Sequence, residues 1–273
     1  DKYLPLVDRV TDRDELADIL GQMISELSAL HMYVYGGDFR KGPDNVQPAQ
    51  LGARLVRDTA AGGFRVEHIY RSDPDFPADE SPLLAPGVEV AEGDVITQIN
   101  GQPTAGVTDV GALLRNQAGK PVLAEVKPAG GGAARRVILR PFGPGADTEL
   151  RYDEWEYTRR RHVEEAGQGR LGYVHLRAMG TPNIAEFTRD YFPVFNRDGL
   201  IVDVRNNRGG NIDSWVMSRL LKKAWAFWQP RVGNPYWNMQ YAFRGPMIVL
   251  VNEYTASDGE LFAEGFRRLG LGK

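Results

Sequence analysis

Two apolar runs in the carboxyl-terminal half of the chain each end in a polar loop that leads into an amphipathic segment. The first run covers residues 200–204, and the second covers residues 246–251 and is rich in β-branched side chains. Short apolar runs bounded by turn residues predict buried strands, and the apolar spacing after each loop predicts a helix. This repeated order of strand, loop and helix constrains the fold more than any other feature of the sequence.

Ser257 lies where the second of these strands gives way to its helix. A hydroxyl at a helix start is close to the partial positive charge and the free N–H groups of the first turn, which favour an attacking oxygen and the oxyanion that it generates. Ser257 and Glu260 also spell a capping box, in which the two side chains only satisfy backbone N–H groups. The pattern therefore leaves Ser257 as either a nucleophile or a helix cap.

The loop after the first strand contains the paired glycines Gly209 and Gly210. Glycine permits positive φ and lets backbone N–H groups approach a ligand closely, so this loop can supply one donor of an oxyanion hole. An ordinary strand-to-helix turn uses glycine as well. The loop by itself does not separate the two interpretations.

Taken together, these segments resemble the catalytic core of the S41 serine peptidases, and in particular their tricorn-like members. The resemblance implies a multidomain α+β chain. Its expected parts are an N-terminal helical region at residues 1–42, a PDZ-like β-barrel or sandwich at 47–144, and an α/β serine peptidase core of the ClpP/crotonase-like kind at 146–273. Glycine and proline at residues 41–44 and 143–146 are typical of the seams between such parts.

The family motifs assign roles to four residues of this sequence. Ser257, in the motif N-E-x-x-A-S-D-G-E, would be the nucleophile, and the backbone N–H groups of Asp258 and of Gly210, in D-x-R-x-N-x-G-G, would form the oxyanion hole. His31, on a helix predicted over residues 13–32, would be the general base and then the general acid. An imidazole titrates near neutral pH and suits that duty.

The sequence departs from the family pattern in two places. The family pairs a serine with its histidine, whereas the residue before His31 is Leu30. The orienting glutamate of the family lies well downstream of the nucleophile, and this chain stops at Lys273. The resemblance therefore predicts an incomplete catalytic domain, and an isolated fragment without its orienting acid is expected to be inactive.

Residues 92–101 match the PDZ signature G-D-x-I-x-x-I-N-G. Asn100 and Gly101 form a strong hairpin signal, and a helix over residues 107–117 and a strand over Val122–Lys127 complete the expected order. PDZ domains add a peptide strand to a sheet edge and often capture its carboxylate with backbone N–H groups. Gly52 and Ala53, within residues 51–55, are the candidate peptide-binding residues, although the polar insert at 72–81 departs from a minimal PDZ domain.

Composition excludes several other classes of function. The net charge of −3 gives no electrostatic case for nucleic acid, and no apolar stretch is long enough to span a bilayer. The absence of cysteine excludes disulfides, thiol catalysis and thiolate metal sites, and no metal or cofactor is predicted. The resemblance implies peptide substrates and a homo-oligomer, a hexamer in the family. A cytoplasmic location is expected, with the periplasm as the alternative because the chain begins at Asp1 rather than methionine.

Three functions are therefore compared. The first is a serine endopeptidase that cleaves oligopeptides through Ser257 and His31. The second, from the same class, is a C-terminal processing protease with a Ser/Lys dyad, for which Lys273 is the nearest lysine. The third is a non-catalytic peptide-binding or assembly module, in which the PDZ domain is the working part and Ser257 is only a helix cap.

Overall fold

The computed structural model describes residues 1–29, 31–37, 46–75 and 80–273. The chain divides into two units, Asp1–Gln47 and Pro48–Lys273. Leu30 and the predicted seam at residues 41–44 lie outside the described residues, as does part of the polar insert at 72–81.

The first unit contains two helices, α1 (Leu4–Val7) and α2 (Arg13–Ser25). Asp12 caps α2, because its Oδ1 accepts a hydrogen bond from the N–H of Glu15 at 3.0 Å. The hydroxyl of Tyr3 donates to the carbonyl oxygen of Gln22 at 3.1 Å and ties the two helices together. No residue of either helix is buried.

The helix predicted over residues 13–32 is too long, since α2 ends at Ser25. The Oγ of Ser25 donates to the carbonyl oxygen of Gln22 at 2.7 Å, and the N–H of Ser28 returns to the carbonyl oxygen of Ser25 at 3.0 Å. Ser28 and His31 then adopt φ values of 50° and 65°. These local bonds replace the backbone hydrogen bonds that would continue the helix. The helix buries no apolar face, so tertiary packing does not stabilise a longer one. His31 consequently lies in a turn and not on the helix.

The second unit begins with an antiparallel sheet. Its strands are β1 (Ala53–Asp58), β2 (Gly63–Ile69), β3 (Val95–Ile99), β4 (Gln102–Pro103), β5 (Val122–Lys127) and β6 (Arg135–Leu139). The order is β1-β2-β3-β5-β6, with β4 paired to β3. Alternate side chains of β5 point into an apolar core, as expected for a sheet with one covered face.

The PDZ signature forms the hairpin that the sequence predicts. Asn100 and Gly101 have φ values of 50° and 78° between β3 and β4, and the Oδ1 of Asn100 accepts from the N–H of Leu123 at 2.9 Å. Asp94 is buried at the start of β3, and its Oδ1 accepts from the N–H of Ala129 at 3.0 Å. The predicted strand Val122–Lys127 is β5.

The helix predicted over residues 107–117 is wrong. Only the 3-10 turn Val110–Leu113 forms there. The Oδ1 of Asp109 accepts from the N–H of Gly111 at 2.6 Å, and Asn116 has a φ of 58°. Asparagine, aspartate and glycine all favour turns over helix interiors, and here they prevail over the apolar spacing.

The remainder of the second unit alternates helices and strands. Its elements are α3 (Pro144–Ala166), β7 (Leu171–His175), α4 (Thr181–Tyr191), β8 (Gly199–Asp203), α5 (Asp213–Leu220), β9 (Ala226–Trp228), β10 (Tyr236–Asn238), β11 (Met247–Leu250) and α6 (Asp258–Arg268). Strands β11, β8 and β7 form a parallel sheet in that order, and β9 and β10 form a separate antiparallel hairpin. Because parallel strands end at one edge, the loops after β8 and β11 meet there.

Helix α3 connects the two sheets. Glu154 on α3 lies 2.9 Å from the Nε2 of His68 on β2 and accepts from the N–H of Arg71 at 3.0 Å. Arg160, two turns further along α3, pairs with Asp73 at 2.6 Å. The PDZ sheet is thus fastened to the helix that packs on β7.

No helix in the described part of the chain is both long and apolar enough to cross a membrane.

Candidate active site

Ser257 occupies a strained turn between β11 and α6. Its φ is 54° and its ψ is −119°, and the N–H of Gly259 donates to the carbonyl oxygen of Ala256 at 3.0 Å, which closes a four-residue turn. These angles belong to the second position of a type II′ turn, which glycine normally fills. A non-glycine residue in such a region costs about 1–3 kcal/mol and is typical of functional sites. An exposed serine on a strained strand-to-helix turn has the placement of a nucleophile.

The capping interaction predicted for Glu260 is present at the backbone of Ser257. The N–H of Ser257 donates to the Oε2 of Glu260 at 2.6 Å. An ordinary N-cap residue has extended backbone angles, however, and a positive φ is not needed to begin a helix. Capping therefore explains Glu260 but leaves the conformation of Ser257 unexplained.

Gly210 presents a free backbone N–H. Met179 bonds to the residues on either side of it, donating to the carbonyl oxygen of Gly209 at 2.8 Å and accepting from the N–H of Asn211 at 2.8 Å. In a parallel bridge of this kind the central residue directs its own N–H away from the partner. Among the described residues no acceptor is bonded to that N–H. A Cβ at Gly210 would lie 1.9 Å from the carbonyl oxygen of Met179, so no side chain fits.

Gly209 brings this loop against the serine. Its φ is 80°, and a Cβ added there would lie 2.6 Å from the Cβ of Ser257 and 3.1 Å from its Oγ. Only a residue without a side chain allows this approach without displacement of the serine. The two loops that the sequence singled out are therefore neighbours at one edge of the parallel sheet.

Asp258 supplies a second free N–H and a buried carboxylate. As the first residue of α6 it has no partner within the helix for its N–H. Its Oδ2 accepts from the N–H groups of Ile212 and Asp213 at 2.8 and 3.0 Å, at the start of α5. Burial raises the pKa of this carboxyl group above its usual value. Asp258 thus reaches from the serine turn to the loop that carries Gly210.

Asn207 is a site residue that sequence reasoning missed. It is fully buried, its Oδ1 accepts from the N–H of Gly209 at 2.8 Å, and its Nδ2 donates to the carbonyl oxygen of Leu176 at 2.6 Å. Its own carbonyl oxygen accepts from the N–H of Ala256 at 2.9 Å. The signal was its place in D-x-R-x-N-x-G-G, where a buried asparagine next to glycines braces a loop through its side-chain amide.

Further bonds join the same two loops. The N–H of Asn206 donates to the Oδ1 of Asn252 at 2.9 Å, and the Nδ2 of Asn252 returns to the Oδ1 of Asn206 at 2.9 Å. The hydroxyl of Thr255 donates to the carbonyl oxygen of Val204 at 2.8 Å. Each of these side chains has its partner on the opposite loop, so the separation between the loops is fixed at several points.

The structure brings together three of the four predicted catalytic residues. Ser257, Gly210 and Asp258 lie in one cluster of the second unit, whereas His31 belongs to the first unit, where it is exposed in its turn. The predicted peptide-binding residues Gly52 and Ala53 lie at the start of the PDZ sheet.

A second histidine, His175, is buried at the end of β7. Its Nδ1 donates to the carbonyl oxygen of Asp203 at 2.9 Å, and its Nε2 accepts from the hydroxyl of Tyr152 at 2.8 Å. Burial lowers the pKa of His175 to about 4 and raises that of Tyr152 to about 12, so both are neutral near pH 7. The alternation of residues 173–176 is typical of a strand, in which a histidine is usually structural, and these bonds are consistent with that role. Within the described residues, no group of three or more His, Cys, Asp or Glu side chains is arranged to hold a metal ion.

Comparisons with known proteins agree with this geometry. Residues 49–143 match the family model of the tricorn protease PDZ domain, and residues 170–273 match that of peptidase family S41. The whole chain is 39% identical to Tricorn protease homolog 1 of Streptomyces coelicolor and 31% identical to the tricorn protease of Thermoplasma acidophilum. It spans 25% of the length of each of these relatives.

The crystal structure of the tricorn protease superposes on the whole chain with a TM-score of 0.85 at 29% sequence identity, and the chain covers 26% of that structure. The predicted S41 and PDZ regions are confirmed by these matches, and the mixed α/β architecture agrees with them. Residues 170–273 therefore carry a region of peptidase family S41, next to a PDZ region like that of the tricorn protease.

Proposed function

We propose that this chain carries the catalytic part of a serine endopeptidase that cleaves oligopeptides. The observation that carries the proposal is the strained turn of Ser257, beside which the N–H groups of Gly210 and Asp258 have no acceptor among the described residues. Two free donors close to a serine are the arrangement that an acyl-transfer site needs. The match of residues 170–273 to peptidase family S41 supports the same activity.

In the proposed reaction the Oγ of Ser257 attacks the scissile carbonyl carbon. His31, by its position in the family pattern, accepts the hydroxyl proton and then donates it to the leaving amine. The N–H groups of Gly210 and Asp258 stabilise the oxyanion of the tetrahedral intermediate, and water hydrolyses the acyl-enzyme by the same steps in reverse order.

The two alternatives are not favoured. A helix cap does not require the positive φ of Ser257. The tricorn relatives match the chain over its whole length, including the region that carries His31, and so favour a Ser/His site over a Ser/Lys dyad with Lys273.

The test is turnover of a panel of short fluorogenic peptides, together with labelling by a fluorophosphonate probe. We expect both in the full-length protein and neither in its Ser257→Ala variant. The exposed Ser218 of α5, whose hydroxyl donates to the carbonyl oxygen of Trp215, provides the matched control Ser218→Ala, which should behave as the native sequence. Labelling that persists in Ser257→Ala, or that is absent from the native full-length protein, would overturn the proposal.

The PDZ region is proposed to bind extended peptides along β1, which lies at the end of the sheet order. The carbonyl oxygen of Gly52 accepts from the N–H of Tyr70 at 3.0 Å, and alternation along the strand directs the N–H of Ala53 to the free edge. Ala53→Pro would remove that donor without loss of a sheet bond. Weaker binding of fluorescent peptides by this variant is expected, and unchanged binding would argue against this edge.

We propose further that the protein assembles as a homo-oligomer, a hexamer as in the family. The hairpin of β9 and β10 supports self-association, because Trp225, Phe227 and Trp228 are all more than half exposed there. Sedimentation of the native chain and of Phe227→Ser tests this, and identical mass distributions would count against a role for the hairpin. A cytoplasmic location, a barrel or sandwich form of the PDZ region and a ClpP/crotonase-like core belong to the same set of proposals.

A further inference from the structure

We propose that the carboxylate of Asp258 is a positioning group that sets the distance between the two oxyanion donors. This inference rests on the proposed function, since it assigns the N–H groups of Asp258 and Gly210 to the oxyanion hole. The backbone of Asp258 supplies one donor, and its side chain holds the loop that supplies the other.

The two donors belong to different elements. One N–H begins α6, and the other lies in the loop between β8 and α5. Stabilisation of an oxyanion depends on donors that are already in place before the reaction. A displacement of about 1 Å can lower the rate by about a hundredfold. A bond that fixes one element to the other therefore controls the rate.

Asp258 makes that bond close to the donor loop. Its Oδ2 accepts from the N–H of Ile212 at 2.8 Å, and Ile212 is only two residues after Gly210. Ile212 is also the N-cap of α5 and has no side chain that can cap the helix. Asp258 supplies the missing cap from another helix, and the whole residue is only 5% exposed.

Asn207 holds the other end of the glycine pair through the N–H of Gly209. The loop is thus fixed before Gly210 by Asn207 and after it by Asp258. Asn207 also bonds to the strand end at Leu176, so its replacement would disturb the fold more widely. Asp258 is the better residue to test, because its carboxyl group bonds to groups at the start of α5, namely the N–H groups of Ile212 and Asp213 and the carboxyl group of Asp213.

The experiment compares Asp258→Ala and Asp258→Asn with the native chain, at a temperature where circular dichroism shows each to be folded. In Asp258→Ala we expect kcat to fall by about tenfold to a hundredfold with little change in KM, because only transition-state contacts are weakened. Asp258→Asn keeps an oxygen acceptor and should restore most of kcat. Ser218→Ala is the matched control, because it removes an exposed hydroxyl from the same helix without freeing Ile212.

A second measurement does not depend on turnover. The N–H of Asn211 is bonded to Met179, and its hydrogen exchange reports whether the donor loop stays closed. In Asp258→Ala its protection should fall by about tenfold or more, whereas that of Val204, bonded to Leu250, should be unchanged. Unchanged protection of Asn211, or an equal loss in Ser218→Ala, would overturn the positioning role. If the native chain lacks Ser257-dependent turnover, the proposed activity fails, and the exchange result still decides whether Asp258 holds the loop.

Discussion

At the scale of the residue, the backbone conformation of Ser257 distinguishes a serine with a functional role from one that only stabilises the fold. The residue accepts an unfavourable φ at a position where glycine would be relaxed. A serine that served only the fold would gain nothing from this conformation. The strained backbone of Ser257 should therefore lower the free energy of unfolding, and no packing contact of the side chain accounts for that loss.

Replacement of Ser257 by glycine should make the protein more stable and inactive. We expect Ser257→Gly to raise the free energy of unfolding by about 1 kcal/mol, because the relieved strain exceeds the extra entropy that glycine gives the unfolded chain. Ser257→Ala keeps the strain and should change stability by less than about 0.5 kcal/mol. Urea unfolding measures both, and equal stabilities for the two variants would contradict a strained turn.

Protonation of His175 should make the free energy of unfolding depend on pH. Burial lowers the pKa of its imidazole in the folded chain to about 4, below the value of about 6.5 expected when unfolded. The unfolded chain therefore takes up the proton first as the pH falls. The free energy of unfolding should decrease between about pH 6.5 and pH 4, by up to about 3 kcal/mol.

The measurement is the melting temperature across this pH range. His175→Gln should lose part of the pH dependence, whereas His162→Gln, at an exposed position of α3, should retain it. A His175→Gln curve parallel to that of the native chain would show that other groups are responsible.

At the scale of the element, the loops after β8 and β11 act as one structure. Asn207, Asn252 and Thr255 each bond across the gap between them. The loop after β8 also requires glycine for a reason unrelated to backbone freedom, since a Cβ at Gly210 would meet the carbonyl oxygen of Met179 at 1.9 Å.

Gly210→Ala should therefore destabilise the protein by more than an unfavourable φ alone would. We expect the free energy of unfolding to fall by about 3 kcal/mol or more, with no detectable turnover, because the neighbouring atom is backbone and cannot move aside. Gly62→Ala is the control, since Gly62 has a φ of 77° but no atom within 4 Å of an added Cβ. The free energy of unfolding of Gly62→Ala should fall by only about 1 kcal/mol. Equal losses would mean that the contact with Met179 is not tight.

The sequence predicted the elements that have strong local signals. The strands before Gly209 and Ser257 and the Asn100–Gly101 hairpin were all placed correctly, because apolar runs and turn residues agree there. The helices over 13–32 and 107–117 were overextended, since serine and aspartate side chains bonded to the nearby backbone instead. The motif D-x-R-x-N-x-G-G marks Asn207 but does not name its partners, because these are distant in sequence or lie in the loop itself.

At the scale of the whole molecule, α3 joins the PDZ sheet to the catalytic sheet within the second unit. Glu154 is the centre of this junction, where it meets both His68 and the N–H of Arg71. The apolar cores on the two sides are separate clusters. Their cooperation in unfolding therefore depends strongly on polar contacts along α3.

Glu154→Ala should uncouple the two cores. All five tryptophans follow residue 144, so their fluorescence reports the catalytic side, whereas hydrogen exchange of Val66 reports the PDZ core. We expect the unfolding transitions reported by the two probes to coincide in the native chain and to separate in Glu154→Ala. Glu165→Ala, which removes an exposed ion pair with Arg161 on the same helix, should leave them coincident. Coincident probes in Glu154→Ala would place the coupling elsewhere.

The junction on α3 also has a consequence for protein engineering. Glu154, Arg160 and Arg151, whose guanidinium lies over the ring of Tyr70, attach the helix to the PDZ sheet. A foreign PDZ module could therefore be grafted onto this α/β core if it carried equivalents of His68, Tyr70, Asp73 and the backbone donor at Arg71. The module would then be exchangeable, and the turn that carries Ser257 would not need to be redesigned.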